Sequence, residues 1–141
     1  MRDARARYFE ANGLSEAGYR SRWVVLRAGP LPLYLPNSPA RRRAVPLHDL
    51  HHIATGYDTS WTGEAEIGAW ELGAGCGHYW AAWTLNFGAA SLGLLIAPRR
   101  TLRAFRRGRR GRRTLYHDPA GFSESLLELT VGDLRRALVL D

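Results

Sequence analysis

The stretch YWAAWTLNFGAASLGLLIA, residues 79–97, runs for nineteen residues without a formal charge. GAGCG (73–77) bounds it on one side and Pro98 on the other. A segment of that length and polarity reads as a helix that must hide its apolar side chains, in a bilayer or in a protein core. It also carries Thr84, Asn86, Gly88, Ser91 and Gly93, and it is only just long enough to cross a membrane. The mean hydropathy of the chain is −0.30. The expectation is therefore a buried central helix of a small bundle, not a span. Its small residues, Gly88, Ala89, Ser91 and Gly93, would let a neighbour approach closely or leave a groove. A groove lined by Trp80, Trp83 and Phe87 would suit an isoprenoid tail. Ordinary core packing accounts for the same residues.

The other segments read the same way. Ser38-Pro39 is an N-cap followed by a first-turn proline, and Pro46 either kinks that helix or begins a new one. Residues 46–55 are helical in pattern, and Gly56 is placed to stop them. N-cap candidates in DTSWTGE start a second helix to about Leu72, before GAGCG breaks it. Pro98 opens a basic helix ending near Gly108, and GRRGRR after it is loop-like. Ser123 or Thr130 caps a last helix, with Leu127, Val131, Leu134 and Leu138 on one stripe. Near the N-terminus, Ser15-Glu16 starts a helix through Tyr19, Trp23 and Val24 to Leu26. PLPLYLP (30–36) should be extended, unpaired and wrapped over the core, because proline removes donors. No run alternates with period two for long enough to propose a sheet. The class is all-α, a small bundle in one domain spanning 1–141.

Charge narrows the function classes. The net charge is +7, and all 20 basic residues are arginine. Nine of them lie in PRRTLRAFRRGRRGRR (98–113) and three more in ARRRA (40–44). Arg99, Arg103, Arg106 and Arg110 recur three to four apart and share a helix face. That face fits anionic lipid head groups or a phosphorylated lipid, against the plainer alternative of a solvated face. No helix-turn-helix, paired Cys/His finger or aromatic RNA-binding strand supports nucleic acid as partner. The single cysteine, Cys76, cannot form an internal disulfide, so a reducing, intracellular setting is expected. The N-terminus has no secretory signal pattern.

The chemistry gathers in PLHDLHHIATGYDTSWTGEAE (46–66). His48 and His52 are four apart and can reach one point from a helix face. Asp49 lies about 100° round the helix from His48, placed to ligate from the edge or to hold a ligand. If 56–60 is the turn of an antiparallel helix pair, Glu64 stands opposite His52 at the same height. Two imidazoles and two carboxylates on facing helices make a candidate divalent-metal site. Histidines on a helix are also commonly surface or packed residues. His51 could be a fifth ligand, an acid/base or, the plainest expectation, a solvated residue. Glu66 and Glu71 are expected at the surface or behind the ligands, and Tyr57 as a loop anchor or a cover over the metal.

His48-Asp49-x-x-His52, eleven residues and then Glu64 resembles the metal signature of the Coq-four family of ubiquinone (coenzyme Q) biosynthesis proteins. HDLHHIATGY, GEAEIGAWE and GPLPLYLPNSPARRR extend the resemblance, which runs from RYFEANG to the basic helix. It implies an all-α fold and a divalent metal, zinc foremost with iron or manganese as alternatives, held by His48, Asp49, His52 and Glu64. It implies action on a prenylated quinone precursor: a lyase-type oxidative decarboxylation at C1 of the aromatic head group. It also implies association with other quinone-biosynthesis enzymes at a membrane. The chain is short for the family and lacks an evident transit segment, as a compact bacterial relative would. Such a relative would be cytoplasmic and peripheral at the inner face of the membrane, with homo-oligomers open. No residue is marked out by sequence as the catalytic proton carrier. The rival reading is a non-catalytic, metal-containing protein that binds a prenyl lipid or organises such enzymes. An open coordination position favours the enzyme, and a closed protein shell favours the scaffold.

Overall fold

The computed structural model describes residues 1–28 and 31–140. Its helices are α1 (Arg2–Asn12), α2 (Glu16–Arg20), α3 (Pro39–Thr55), α4 (Trp61–Ala74), α5 (Trp80–Ile96), α6 (Pro98–Gly111), α7 (Ser125–Glu128) and α8 (Val131–Ala137). A 3-10 turn, Leu115–His117, precedes α7. The all-α class holds, with one addition among the described residues. β1 (Trp23–Ala28) and β2 (Leu31–Pro36) pair as an antiparallel ribbon, in register from Trp23 opposite Pro36 to Ala28 opposite Leu31.

That ribbon corrects two expectations. The helix expected from Ser15 to Leu26 stops at Arg20, and the proline-rich segment is paired. Pro32 and Pro36 occupy alternate positions, so both direct their missing N–H away from the partner strand. The residues between them make the ladder, and it continues in the bond from Asn37 N–H to Arg22 C=O, 2.9 Å. Prolines an even number of residues apart are thus compatible with one edge of a ribbon. Pro30 lies outside the described residues.

The cap signals fall where the sequence puts them. The Ser38 hydroxyl accepts from Arg41 N–H, and Ser60 from Gly63 N–H. Gly56 ends α3 in the left-handed region at φ 77°. α3 continues through Pro46 without a break. α6 likewise runs on through Gly111, so GRRGRR is mostly helix, not loop. Thr130 and Asp133 form a reciprocal capping box at α8.

The central helix is α4, where α5 was expected. α4 buries Ile67, Ala69, Trp70 and Ala74 in one core with Leu47, Leu50 and Ala54 of α3 and with Tyr116, Leu134 and Leu138. Leu127 joins this core from α7, whereas Val131 is only half-buried, so the expected four-residue stripe is split between two helices. α4 is approached closely on two sides. A Cβ added to Gly108 of α6 would lie 2.1 Å from Trp70 C=O, and one added to Gly93 of α5 would lie 2.5 Å from Ala65 Cβ. α5 buries only Ala81, Ala82, Asn86 and Gly93. Small residues let it pack on α4, and its large apolar side chains point outward. Arg107 and Arg135 donate to the carbonyls of Thr55 and Ala54 at the end of α3 (3.2 and 2.8 Å).

Candidate metal centre

α3 and α4 run back from the 56–60 turn, and this arrangement brings His48, His52 and Glu64 together. One ligand atom from each lies within 4.8 Å of the others. His48 Nε2 is 3.1 Å from His52 Nε2 and 3.6 Å from Glu64 Oε2. His52 Nε2 is 3.4 Å from Glu64 Oε1. A tetrahedral ion bound at about 2.05 Å separates its donors by about 3.3 Å. The nitrogen pair and the two nitrogen–oxygen approaches, one to each oxygen of Glu64, lie around that value, so the group could hold a small divalent cation.

The hydrogen bonds behind the imidazoles fix which nitrogen faces the cluster. His48 Nδ1 lies 2.9 Å from Glu71 Oε1, an acceptor. His52 Nδ1 lies 2.9 Å from Tyr57 C=O, also an acceptor. Both Nδ1 atoms therefore carry protons, and in the neutral rings both Nε2 lone pairs point inward. Two lone pairs 3.1 Å apart repel unless a cation or a proton lies among them. Burial opposes charge on His48, but Glu71 and Glu64 outweigh it and hold the imidazole well above its usual range. Burial likewise opposes charge on Glu64, and the hydrogen bonds and charges of His48 and His52 overcome it, leaving the carboxyl well below the usual range. In the absence of metal, a proton on His48 beside the Glu64 carboxylate relieves that repulsion.

Glu71 is the anchor of this arrangement and is fully buried. Its Oε1 accepts from His48 Nδ1 and from His51 Nδ1 at 2.6 Å. Tyr116 O–H lies 3.2 Å from both carboxylate oxygens, and Asn86 Nδ2 donates to Oε2. Burial raises the energy of this charge, but His48 and His51 more than compensate and keep the carboxyl well below its usual range.

The expectation that His51 is solvated is overturned. It is fully buried, with Nδ1 toward Glu71 and Nε2 accepting from Leu115 N–H at 2.9 Å. A backbone donor on Nε2 leaves no lone pair for a metal, and burial lowers the pKa of His51 despite Glu71. His51 is a neutral strut between the anchor and the 3-10 turn. Glu71 stands behind the ligands, as expected of it. Glu66 is held by Arg100 through bonds of 3.1 and 2.6 Å. Tyr57 supplies its carbonyl to His52 and lies under the Arg107 guanidinium, a loop anchor.

Asp49 does not join the cluster. It is buried, and its Oδ2 accepts from Tyr19 O–H of α2. The structure thus gathers three of the four residues of the motif and places the fourth beside them. The sequence reading also missed Tyr8 of α1, whose ring stacks on His52 with centroids 5.8 Å apart. Burial, and then Asp49 and Glu64, push its phenol pKa up. Nothing local in the sequence marks Tyr8. Glu71 was visible in principle: it follows Glu64 by seven residues, two turns along the same face of α4. Glu64 keeps a side-chain exposure of 39%, so the cluster is open to solvent on its side. The arginines expected on one face are there: Arg99, Arg103, Arg106 and Arg110 are all exposed along α6.

No protein-family model, curated protein or solved structure matches this chain.

Proposed function

We propose that this chain is a divalent-metal enzyme of the Coq-four kind, acting on the head group of a prenylated aromatic acid in quinone biosynthesis. The observation that carries the metal-enzyme reading is the three-donor cluster of His48, His52 and Glu64, open beside Glu64. Three protein ligands with a free position is the pattern of catalytic zinc, whereas structural sites close their shell with four. The substrate class rests on the resemblance of the 46–66 stretch and its flanks to the Coq-four family.

His48, His52 and Glu64 would hold the ion, and their nitrogen and oxygen donors suit zinc, iron(II) or manganese. A divalent ion there supplies a Lewis acid toward a carboxylate and a neighbouring phenolic oxygen. Glu71 and the Tyr57 carbonyl keep both imidazoles in the tautomer that presents Nε2. Tyr8 and His52 form a stacked wall. Arg41 lies two turns before His48 on α3, bonded to Asn37 Oδ1, and its field reaches Asp49 and Glu64. That cation favours an anionic head group in the same place. The reaction removes the C1 carboxyl as carbon dioxide and installs a hydroxyl. Its oxidising equivalents come from dioxygen or a partner enzyme.

The test is complementation of cells that lack this step, fed 4-hydroxybenzoate labelled in its carboxyl. Loss of label that depends on His48 and Glu64 is the expected result. Accumulation of the carboxylated intermediate, with folded and metal-loaded protein present, would replace the enzyme with the scaffold reading.

A further inference from the structure

We infer that α5 and the first turns of α6 form a membrane-docking surface that lies within the head-group layer of an anionic bilayer. The proposal does not depend on the metal or on the reaction. It starts from an inversion in α5, a helix with no formal charge whose large side chains avoid the core. Phe87 is 68% exposed and Leu95 is 82% exposed, and Trp83, Leu94 and Ile96 are exposed with them. The helix is 17 residues long, about 25 Å, and its outward face carries no charge along that length and is mostly apolar, interrupted by the exposed Thr84 and Ser91. A contiguous apolar face of this size on a protein surface marks an interaction site.

The chemistry of the occupant is set by what adjoins the face. α6 follows α5 directly through Ala97 and turns Thr101, Ala104 and Gly108 inward. Arg99, Arg103, Arg106 and Arg110 are left exposed, with the exposed Leu102 among them. An uncharged apolar helix continuous with a row of arginines matches the boundary between acyl chains and anionic head groups. No helix among the described residues is long and apolar enough to cross a membrane, so the surface lies on the bilayer. A second copy of the chain fits less well. Each copy carries +7, and pairing two α5 faces would bring two arginine rows together.

The experiment is co-sedimentation of the full chain with vesicles of phosphatidylcholine alone or mixed with phosphatidylglycerol. It compares the natural protein with a Phe87→Ser/Leu95→Ser variant and an Arg103→Gln/Arg106→Gln variant. All four positions are exposed, so circular dichroism and zinc binding should be unchanged. The natural protein should bind the anionic vesicles and shift its tryptophan emission to the blue. Each double variant should lower that partition by roughly tenfold or more, the serine pair through lost insertion and the glutamine pair through lost charge. Three results would overturn the proposal. One is failure of the natural protein to sediment with anionic vesicles. Another is serine-variant binding equal to the natural protein's, or attachment abolished by competing RNA, which would mark a polyanion site only. The third is a dimer in solution, dispersed by the serine pair, with no vesicle binding.

Discussion

The two sides of α4 treat their side chains in opposite ways. Toward α3, α4 buries a carboxylate, Glu71, among two histidines and a tyrosine, with Asn86 reaching the same carboxylate from α5. Toward α5, α4 takes Asn86 and otherwise only small residues, and leaves phenylalanine, leucine and tryptophan in the open. One side hides charge and the other shows grease, each against the usual ranking of what is buried. The hidden charge is tolerable because four side chains donate to it and one of them, His48, is held toward its cationic form. The exposed apolar face has no such compensation within the chain, so its compensation must come from outside. The contrast teaches where to look: violations satisfied internally point to a site, and violations left open point to a partner.

The largest effect should come from breaking the hidden side. Glu71→Leu removes the acceptor for His48, His51, Tyr116 and Asn86 at once and leaves their polar groups buried. Loss of one partner from a buried ionic network costs about 3–5 kcal/mol, read as a fall in the urea midpoint at unchanged slope. Glu71→Gln keeps the volume and one acceptor and should cost less. It should also weaken zinc binding by about 10–100-fold, since His48 loses the carboxylate that fixes its tautomer. A Glu71→Leu protein as stable as the natural one would show that the network contributes nothing.

Much of this contrast was readable in the sequence, and the part that was not has a physical reason. Caps, glycine stops and the proline start of α6 are local features, and Ser38, Ser60, Gly56 and Pro98 sit as read. The His48–His52–Glu64 cluster followed from two helical spacings and one turn length. His51 failed because a helix wheel gives direction but not depth. The 3-10 turn that covers His51, with Leu115 N–H, lies 64 residues away. α5 failed for the converse reason. Apolar composition says that a helix wants cover, and not that the protein supplies it. Gly68 and Gly93 mark the contact actually made, through small residues. The ribbon failed because prolines were counted as lost donors without asking which way each N–H would point.

The next effect concerns occupancy of the cluster. Zinc at a hundredfold excess over its dissociation constant should stabilise the protein by about 2.7 kcal/mol, and His48→Ala or His52→Ala should abolish the gain. Elemental analysis of untagged protein should find one ion per chain, lost in the same variants. The pH dependence separates the two forms. In metal-free protein the pKa of His48 is raised above 6.5, by Glu71 and Glu64 against burial. A raised folded pKa contributes stability in full below the unfolded value and loses it as pH climbs through the folded one. Metal-free protein should therefore lose stability as pH rises above about 6.5. Zinc must displace that same proton, so its affinity should rise over the same range. Thermal melts with and without chelator across pH would show the two trends diverge. Parallel trends would mean that the proton and the ion do not share the site.

The smallest effect belongs to the exposed side, and its smallness is the point. Leu95→Ser in the isolated protein should change stability by no more than about 0.5 kcal/mol, the range for surface substitutions that break no contact. Ile67→Ser, one helix away on α4 and fully buried, should cost several times that amount through lost burial and an unpaired hydroxyl. Both changes remove an aliphatic side chain, so the difference between them measures how much of α5 is covered by its own chain. With anionic vesicles present the order should change. Zero effect in solution and a roughly tenfold loss of partition would place the whole energetic role of Leu95 in a contact with the bilayer. A cost at Leu95 near that at Ile67 would instead mean that the α5 face is packed in solution, and the opposition between the two sides of α4 would dissolve.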